Sequence, residues 1–122
     1  MSKARFGELV EKALAELPAQ FAEHLEEVPI EVSDRPTPRQ MQRVGLARGS
    51  LLLGLYDGIP LSARSVEQSG IRPAVIYIFQ ENIERVSQTE EQLVQQVRKT
   101  VLHEIGHHFG MSEDDLDTLG YG

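Results

Sequence analysis

The chain has 122 residues, 40% of them hydrophobic and 25% charged, which predicts a single globular domain over residues 1–122 with a core of its own. It contains no cysteine and no apolar run near the roughly 20 residues of a membrane-spanning helix, which excludes disulfide bonds and argues against a membrane partner. The net charge of −7 opposes binding to nucleic acid, and a charged N-terminus without an apolar signal core leads us to expect a cytoplasmic protein.

The first third of the chain predicts helices and one strand. Apolar residues recur at helical spacing from Phe6 to Leu17, and Ser2 ahead of them is a suitable N-cap. Pro18 interrupts this pattern, so we expect one helix that bends or restarts there. The stretch VPIEVSD at 28–34 alternates apolar and polar residues and predicts a half-buried strand, and TPRQMQRVGLARG at 37–49 predicts a short helix.

The middle of the chain predicts two more strands. SLLLGLYDGIPL at 50–61 contains an apolar run that ends at Asp57 and Gly58, a pair that favours a tight turn, and Pro60 limits any returning strand to an edge. Residues 63–73 are expected to form an exposed loop. AVIYIFQ at 74–80 is a continuous β-branched and aromatic run, which predicts a central strand buried on both faces.

The last long helix is the one that carries candidate chemistry. NIERV at 82–86 predicts a helical turn, and residues 87–92 then offer two overlapping capping boxes that can start a helix. Its apolar stripe runs from Val94 to Phe109, and Gly110 is a natural C-terminal stop. Ser112 is expected to cap a last short helix.

His103, Glu104 and His107 match the H-E-x-x-H pattern on this helix. At about 100° per residue the two histidines lie roughly 40° apart around the helix, so both can point at one Zn²⁺ ion, on the side away from the apolar stripe. Glu104 lies to one side, where its carboxylate can act as general base. The alternative of two surface histidines is less favoured, because the motif falls on a well-capped amphipathic helix.

A third ligand must come from the short stretch after His107. The spacing H-E-x-x-H-x-x-G-x-x-(ligand) uses Gly110 to end the helix sharply and places Glu113 in the ligand position. Asp114 and Asp115 have the same chemistry, and all three acids could instead serve the start of a short helix. The spacing favours Glu113 over Asp114.

TVLHEIGHHFGMSEDDLDTLGYG at 100–122 resembles the C-terminus of the small bacterial zincin-like metallopeptidases, and LLLGLYDGIPLSARS at 51–65 is similar to that family's middle segment. The resemblance implies a compact zincin-like α+β fold, with a small mixed β-sheet packed against the active-site helix and the N-terminal helices. It also implies a metal site of His103, His107 and an acid after Gly110, with Glu104 as the base. Members commonly have Asp where this chain has Glu113.

Three functions follow from these residues. The first is a zinc metallopeptidase that acts on a peptide or protein substrate. The second is a metal-dependent endoribonuclease, whose known examples carry a third histidine at the position of Glu113; the acidic composition argues against it. The third is a non-catalytic metal-binding or protein-interaction module, but structural zinc sites are usually closed by four ligands and rich in cysteine. The sequence therefore favours the peptidase.

Overall fold

A computed structural model describes residues 1–22, 28–44, 51–58 and 74–108. The elements in chain order are α1 (Lys3–Ala15), α2 (Ala19–Ala22), β1 (Ile30–Ser33), α3 (Pro38–Val44), β2 (Gly54–Asp57), β3 (Val75–Phe79), α4 (Gln80–Arg85) and α5 (Glu90–His108). Every predicted helix and strand within these ranges is present, and the helical pattern restarts after Pro18. The predicted loop at 63–73, the stop at Gly110 and the last short helix lie outside the described residues.

The three strands form a mixed sheet in the order β1-β3-β2, which confirms the expected α+β class and the central place of the 74–80 run. β1 runs parallel to β3, and β2 runs antiparallel to it with Gly54 opposite Ile78. Ile76 and Ile78 are fully buried on one face of β3, whereas Val75 and Tyr77 on the other are half-buried. On that second face Phe79 is fully buried, so the expectation of burial on both faces holds at Phe79 and is wrong for Val75 and Tyr77.

The core lies between the buried face of the sheet and the helices α1 and α5. Both helices place apolar side chains on one stripe, and those of α5 at Val97, Val101 and Ile105 are fully buried. Burial of each such side chain contributes about 1.5 to 3 kcal/mol. The stripe that sequence periodicity predicts is thus the one that packs, and it fixes which face of α5 is left for the site.

The ends of these helices are capped as the sequence predicts. The Oγ of Ser2 accepts a hydrogen bond from the amide of Arg5 at 3.0 Å, and the Oγ1 of Thr89 accepts one from the amide of Gln92 at 3.1 Å. Arg5 also donates to both carboxylate oxygens of Glu90 at 2.7 and 2.9 Å, so the first turn of α1 is tied to the first turn of α5. Among the described helices, none is long and apolar enough to cross a membrane.

Candidate metal centre

The last turns of α5 bring two imidazole rings together. The centroids of the His103 and His107 rings are 4.8 Å apart, and the rings meet edge to face at 68°. Their side chains are 26% and 36% exposed. Because the apolar stripe of α5 faces the core, these rings lie on the accessible side of the helix, as helical spacing predicts.

Glu104 lies between the two rings and is more deeply placed than either, with its side chain 8% exposed. Its Oε1 is 3.4 Å from Nδ1 of His107, and its Oε2 is 3.9 Å from Nε2 of His103. Oε1 also accepts a hydrogen bond from the backbone amide of Tyr56 on β2 at 2.7 Å. The carboxylate is therefore held from the sheet side through Oε1, which also lies near His107, while Oε2 faces His103.

These residues fit a zinc ion. The candidate ligand atoms of His103, Glu104 and His107 all lie within 4.8 Å of one another. A tetrahedral zinc with bonds of about 2.0 to 2.1 Å sets two donor atoms roughly 3.4 Å apart, a spacing that small rotations of the two half-exposed rings can reach. Two imidazoles, a nearby carboxylate and partial exposure are typical of a catalytic site with an open position. Glu113, Asp114 and Asp115 lie outside the described residues, so the third ligand stays a prediction.

A glycine lets β2 lie directly against α5 at this site. A Cβ placed on Gly54 would come within 2.5 Å of the Thr100 methyl carbon and 3.0 Å of the Tyr77 carbonyl oxygen. The Oγ1 of Thr100 donates to the carbonyl of Gln96 at 2.7 Å, which leaves the methyl group turned towards Gly54. The missing side chain therefore permits the close approach that puts the Tyr56 amide beside Glu104.

The backbone of β2 also has a side that faces away from β3. The carbonyl of Leu53 accepts from the amide of Phe79 at 3.0 Å, so alternate residues of β2, including Gly54, turn their backbone groups outward. The carbonyl of Leu52, two residues before Gly54, accepts from the Nδ2 of Asn82 at 2.8 Å, and the outward amide of Tyr56 is held by Glu104. Between these two anchored points lies Gly54. Among the described strands, β2 is an edge strand.

A cavity of about 270 Å³ adjoins His103 and Glu104 in the angle between β2 and α5. Its other described walls are Leu52, Leu53, Gly54, Gln96, Lys99 and Thr100. The candidate metal centre thus opens directly onto a concave surface, and one wall of that surface is the edge strand.

Three contributors to this site were not predicted from the sequence, namely Gly54, the amide of Tyr56 and the side chain of Asn82. Gly54 carried a usable signal, because an isolated glycine inside a strand pattern indicates close approach of another backbone or side chain. Tyr56 acts through its amide, which every residue except proline possesses. Asn82 lies on a short helix with no distinguishing pattern.

Comparisons with known proteins identify the family and the fold. A family model described as zincin-like metallopeptidase matches residues 25–122. Among solved structures, the chain is similar to a conserved hypothetical protein from T. thermophilus, with 26% sequence identity and a TM-score of 0.55 over 98% of this chain and 97% of that chain. That description states no activity, so the likeness supports the fold. A comparison with the curated proteins finds no match. Since the family model spans more than half of the chain and includes its H-E-x-x-H helix, this chain belongs to the zincin-like metallopeptidase family.

Proposed function

We propose that this protein is a zinc-dependent peptidase in which His103, His107 and Glu113 hold the metal and Glu104 is the general base. The observation that carries the proposal is the position of the Glu104 carboxylate, between two half-exposed imidazole rings at 3.4 and 3.9 Å. In a member of the zincin-like family, this is the arrangement that hydrolysis by an activated water requires.

Glu104 handles the proton in this reaction. Zinc, when bound, supplies a Lewis acid that polarises the scissile carbonyl and lowers the pKa of water to about 7. Oε2 of Glu104 accepts a proton from the attacking water and later delivers it to the leaving amine. The hydrogen bond from the Tyr56 amide to Oε1 keeps the carboxylate in one orientation throughout, so that Oε2 stays available.

The edge of β2 is the surface on which we expect the substrate to lie. The backbone N–H and C=O of Gly54 face away from β3 and lie between two anchored neighbours, so an extended peptide can add to this edge by main-chain hydrogen bonds. Such binding places a peptide bond of the substrate beside Glu104. Short peptides or exposed extended segments are the substrates that fit a shallow site of this kind.

The test replaces Glu104 with glutamine. The introduced amide can still accept the Tyr56 N–H through its side-chain oxygen, so the fold and the zinc content should be retained, while hydrolysis of a peptide library falls by about 10² to 10⁴. Glu91→Gln is the matched control, because Glu91 is an exposed glutamate about three turns before the site on the same helix. Unchanged hydrolysis in Glu104→Gln with zinc bound rejects the mechanism.

The same purified protein can be used to test the endoribonuclease and the non-catalytic module as alternatives to the peptidase. Cleavage of RNA rather than of peptides, lost in Glu104→Gln, would favour the endoribonuclease. Stoichiometric zinc without hydrolysis of either polymer would favour the non-catalytic module. The half-exposed histidines and the adjoining cavity support the catalytic arrangement over a closed structural site.

A further inference from the structure

We propose that the cavity beside Glu104 is a specificity pocket for a glutamate side chain of the substrate, with Lys99 as the partner of its carboxylate. The proposal rests on the peptidase function above and names the substrate class of that same site. The two ends of the cavity differ in chemistry, since one is apolar and the other carries a positive charge.

The inner part of the cavity is apolar. Thr100 uses its hydroxyl to donate to the carbonyl of Gln96, so its methyl group forms part of the wall. Leu52 and Leu53 add further apolar surface from β2, and Gly54 adds no side chain at all. The volume of about 270 Å³ is smaller than the about 300 to 1,000 Å³ of pockets that enclose a whole small molecule. The cavity therefore suits one side chain with an aliphatic stem.

The outer end of the cavity carries a positive charge. Lys99 is exposed, lines the cavity and lies one helical turn before His103 on the same helix. Within the described residues its ammonium group takes part in no salt bridge. The neighbouring Gln96 can donate from its side-chain amide. A carboxylate at this end gains a charge-assisted partner.

The charges in the cavity also set the orientation of the occupant. Among the described residues that line the cavity, Lys99 carries a positive charge and Glu104 a negative one. They are five residues apart, which is about 7.5 Å along the helix axis. Glu104 repels a carboxylate, so the acid of the occupant lies at the Lys99 end while its stem lies over Thr100.

The experiment uses pairs of amidated peptides that differ only by glutamate or glutamine, placed in turn on either side of the scissile bond. We expect kcat/KM to favour glutamate at one of these positions by about two- to fivefold at low salt, the range of an exposed ion pair, and the preference to shrink as salt is raised. Lys99→Met should bring the ratio of kcat/KM for the glutamate peptide to kcat/KM for the glutamine peptide to about 1, and Lys99→Glu should bring it below 1. Lys12→Met, which removes the same charge from α1, should leave the ratio as in the parent.

A binding measurement separates this proposal from the peptidase function. Fluorescence polarisation with zinc-loaded Glu104→Gln protein measures the affinity for the same peptides without turnover. A glutamate preference that disappears with Lys99→Met supports the pocket even if no peptide is hydrolysed, in which case only the peptidase proposal fails. Equal affinities for glutamate and glutamine peptides, or a preference that survives Lys99→Met, overturn the pocket. A preference for a free C-terminal acid over its amide, without one for glutamate, also overturns it.

Discussion

The backbone amide of Tyr56 donates a 2.7 Å hydrogen bond to Oε1 of Glu104, across 48 residues of sequence. The bond joins the edge strand β2 to the helix α5, and both residues are buried. A buried carboxylate needs hydrogen-bond partners, and here one partner comes from the strand on which we expect substrate to lie. The same contact therefore stabilises the fold and orients the proposed base.

Replacement of Glu104 should separate these two roles. Glu104→Ala removes the carboxylate oxygen that accepts from the buried Tyr56 amide, so we expect the free energy of unfolding to fall by about 1 to 3 kcal/mol. Glu104→Gln retains an acceptor oxygen and should stay within about 1 kcal/mol of the parent, although it loses activity. Urea unfolding of both variants measures the difference. Equal stability of the alanine and glutamine variants would contradict the role of this hydrogen bond.

Gly54 should tolerate no side chain. Gly54→Ala puts a Cβ within 2.5 Å of the Thr100 methyl carbon, so β2 or α5 must shift, at a cost of about 1 to 3 kcal/mol. Thr100→Ser removes that methyl group and keeps the hydroxyl. Thr100→Ser combined with Gly54→Ala should recover some of the lost stability. The recovery should be incomplete, because the 3.0 Å contact of the new Cβ with the Tyr77 carbonyl oxygen remains. Strict additivity of the two changes in thermal unfolding would argue against direct contact.

The elements of this fold were predictable because their signals are local. The apolar stripe of α5 and the caps at Ser2 and Thr89 follow from spacing and from side-chain chemistry within a few residues. The burial of β3 was overestimated at Val75 and Tyr77, though not at Phe79, because β-branched and aromatic residues favour strands whether or not a helix covers them. A run of apolar residues in a sequence therefore does not distinguish a strand that is buried on both faces from one that is buried on one face.

The site was predictable only where helix geometry alone decides it. Four residues of separation suffice to bring His103 and His107 together, and one residue places Glu104 beside them. The contact between Tyr56 and Glu104, and the cavity between β2 and Lys99, depend on how closely the strand approaches the helix. That distance is set by the packing of Gly54 against Thr100, which no periodicity encodes.

The ion pair between Arg5 and Glu90 should make part of the stability depend on pH. The hydrogen bond from Arg5 lowers the pKa of Glu90 below its ordinary value, and the pair raises the pKa of Arg5. A lowered folded-state pKa gives stability that is present above the unfolded-state pKa and is lost as the pH falls through the folded-state value. Arg5→Met should therefore reduce stability at neutral pH, and the difference from the parent should close in acid.

Chemical unfolding at several pH values measures this difference. Arg39→Met is the matched control, since Arg39 is exposed on α3, distant in sequence from both residues of the pair. It should lower stability less than Arg5→Met at neutral pH. A deficit of Arg5→Met that stays constant from neutral pH into acid would show that the pair does not contribute through the charge of Glu90.

Metal binding should raise stability, and the effect should depend on the two histidines. A ligand that binds only the folded state at a free concentration 100 times its Kd adds about 2.7 kcal/mol. Chelation followed by stepwise return of zinc should therefore shift thermal unfolding upward in the parent and in Glu104→Gln. His103→Ala and His107→Ala should lose the shift while still folding, because both side chains are half-exposed. A full shift in both histidine variants would place the zinc elsewhere.

The third ligand can be identified by the same zinc titration. The spacing after His107 assigns the position to Glu113, so Glu113→Ala should weaken zinc binding by at least about 10- to 100-fold, the loss typical of removing even a residue that only supports a ligand. Asp114→Ala should change it little, and Glu113→Asp, which keeps a carboxylate at the position, should keep most of the affinity. If Asp114→Ala is instead the variant that loses zinc, the chain turns one residue later than the glycine spacing predicts. The two acids would then exchange roles, with Glu113 left as a favourable charge at the start of the predicted last short helix.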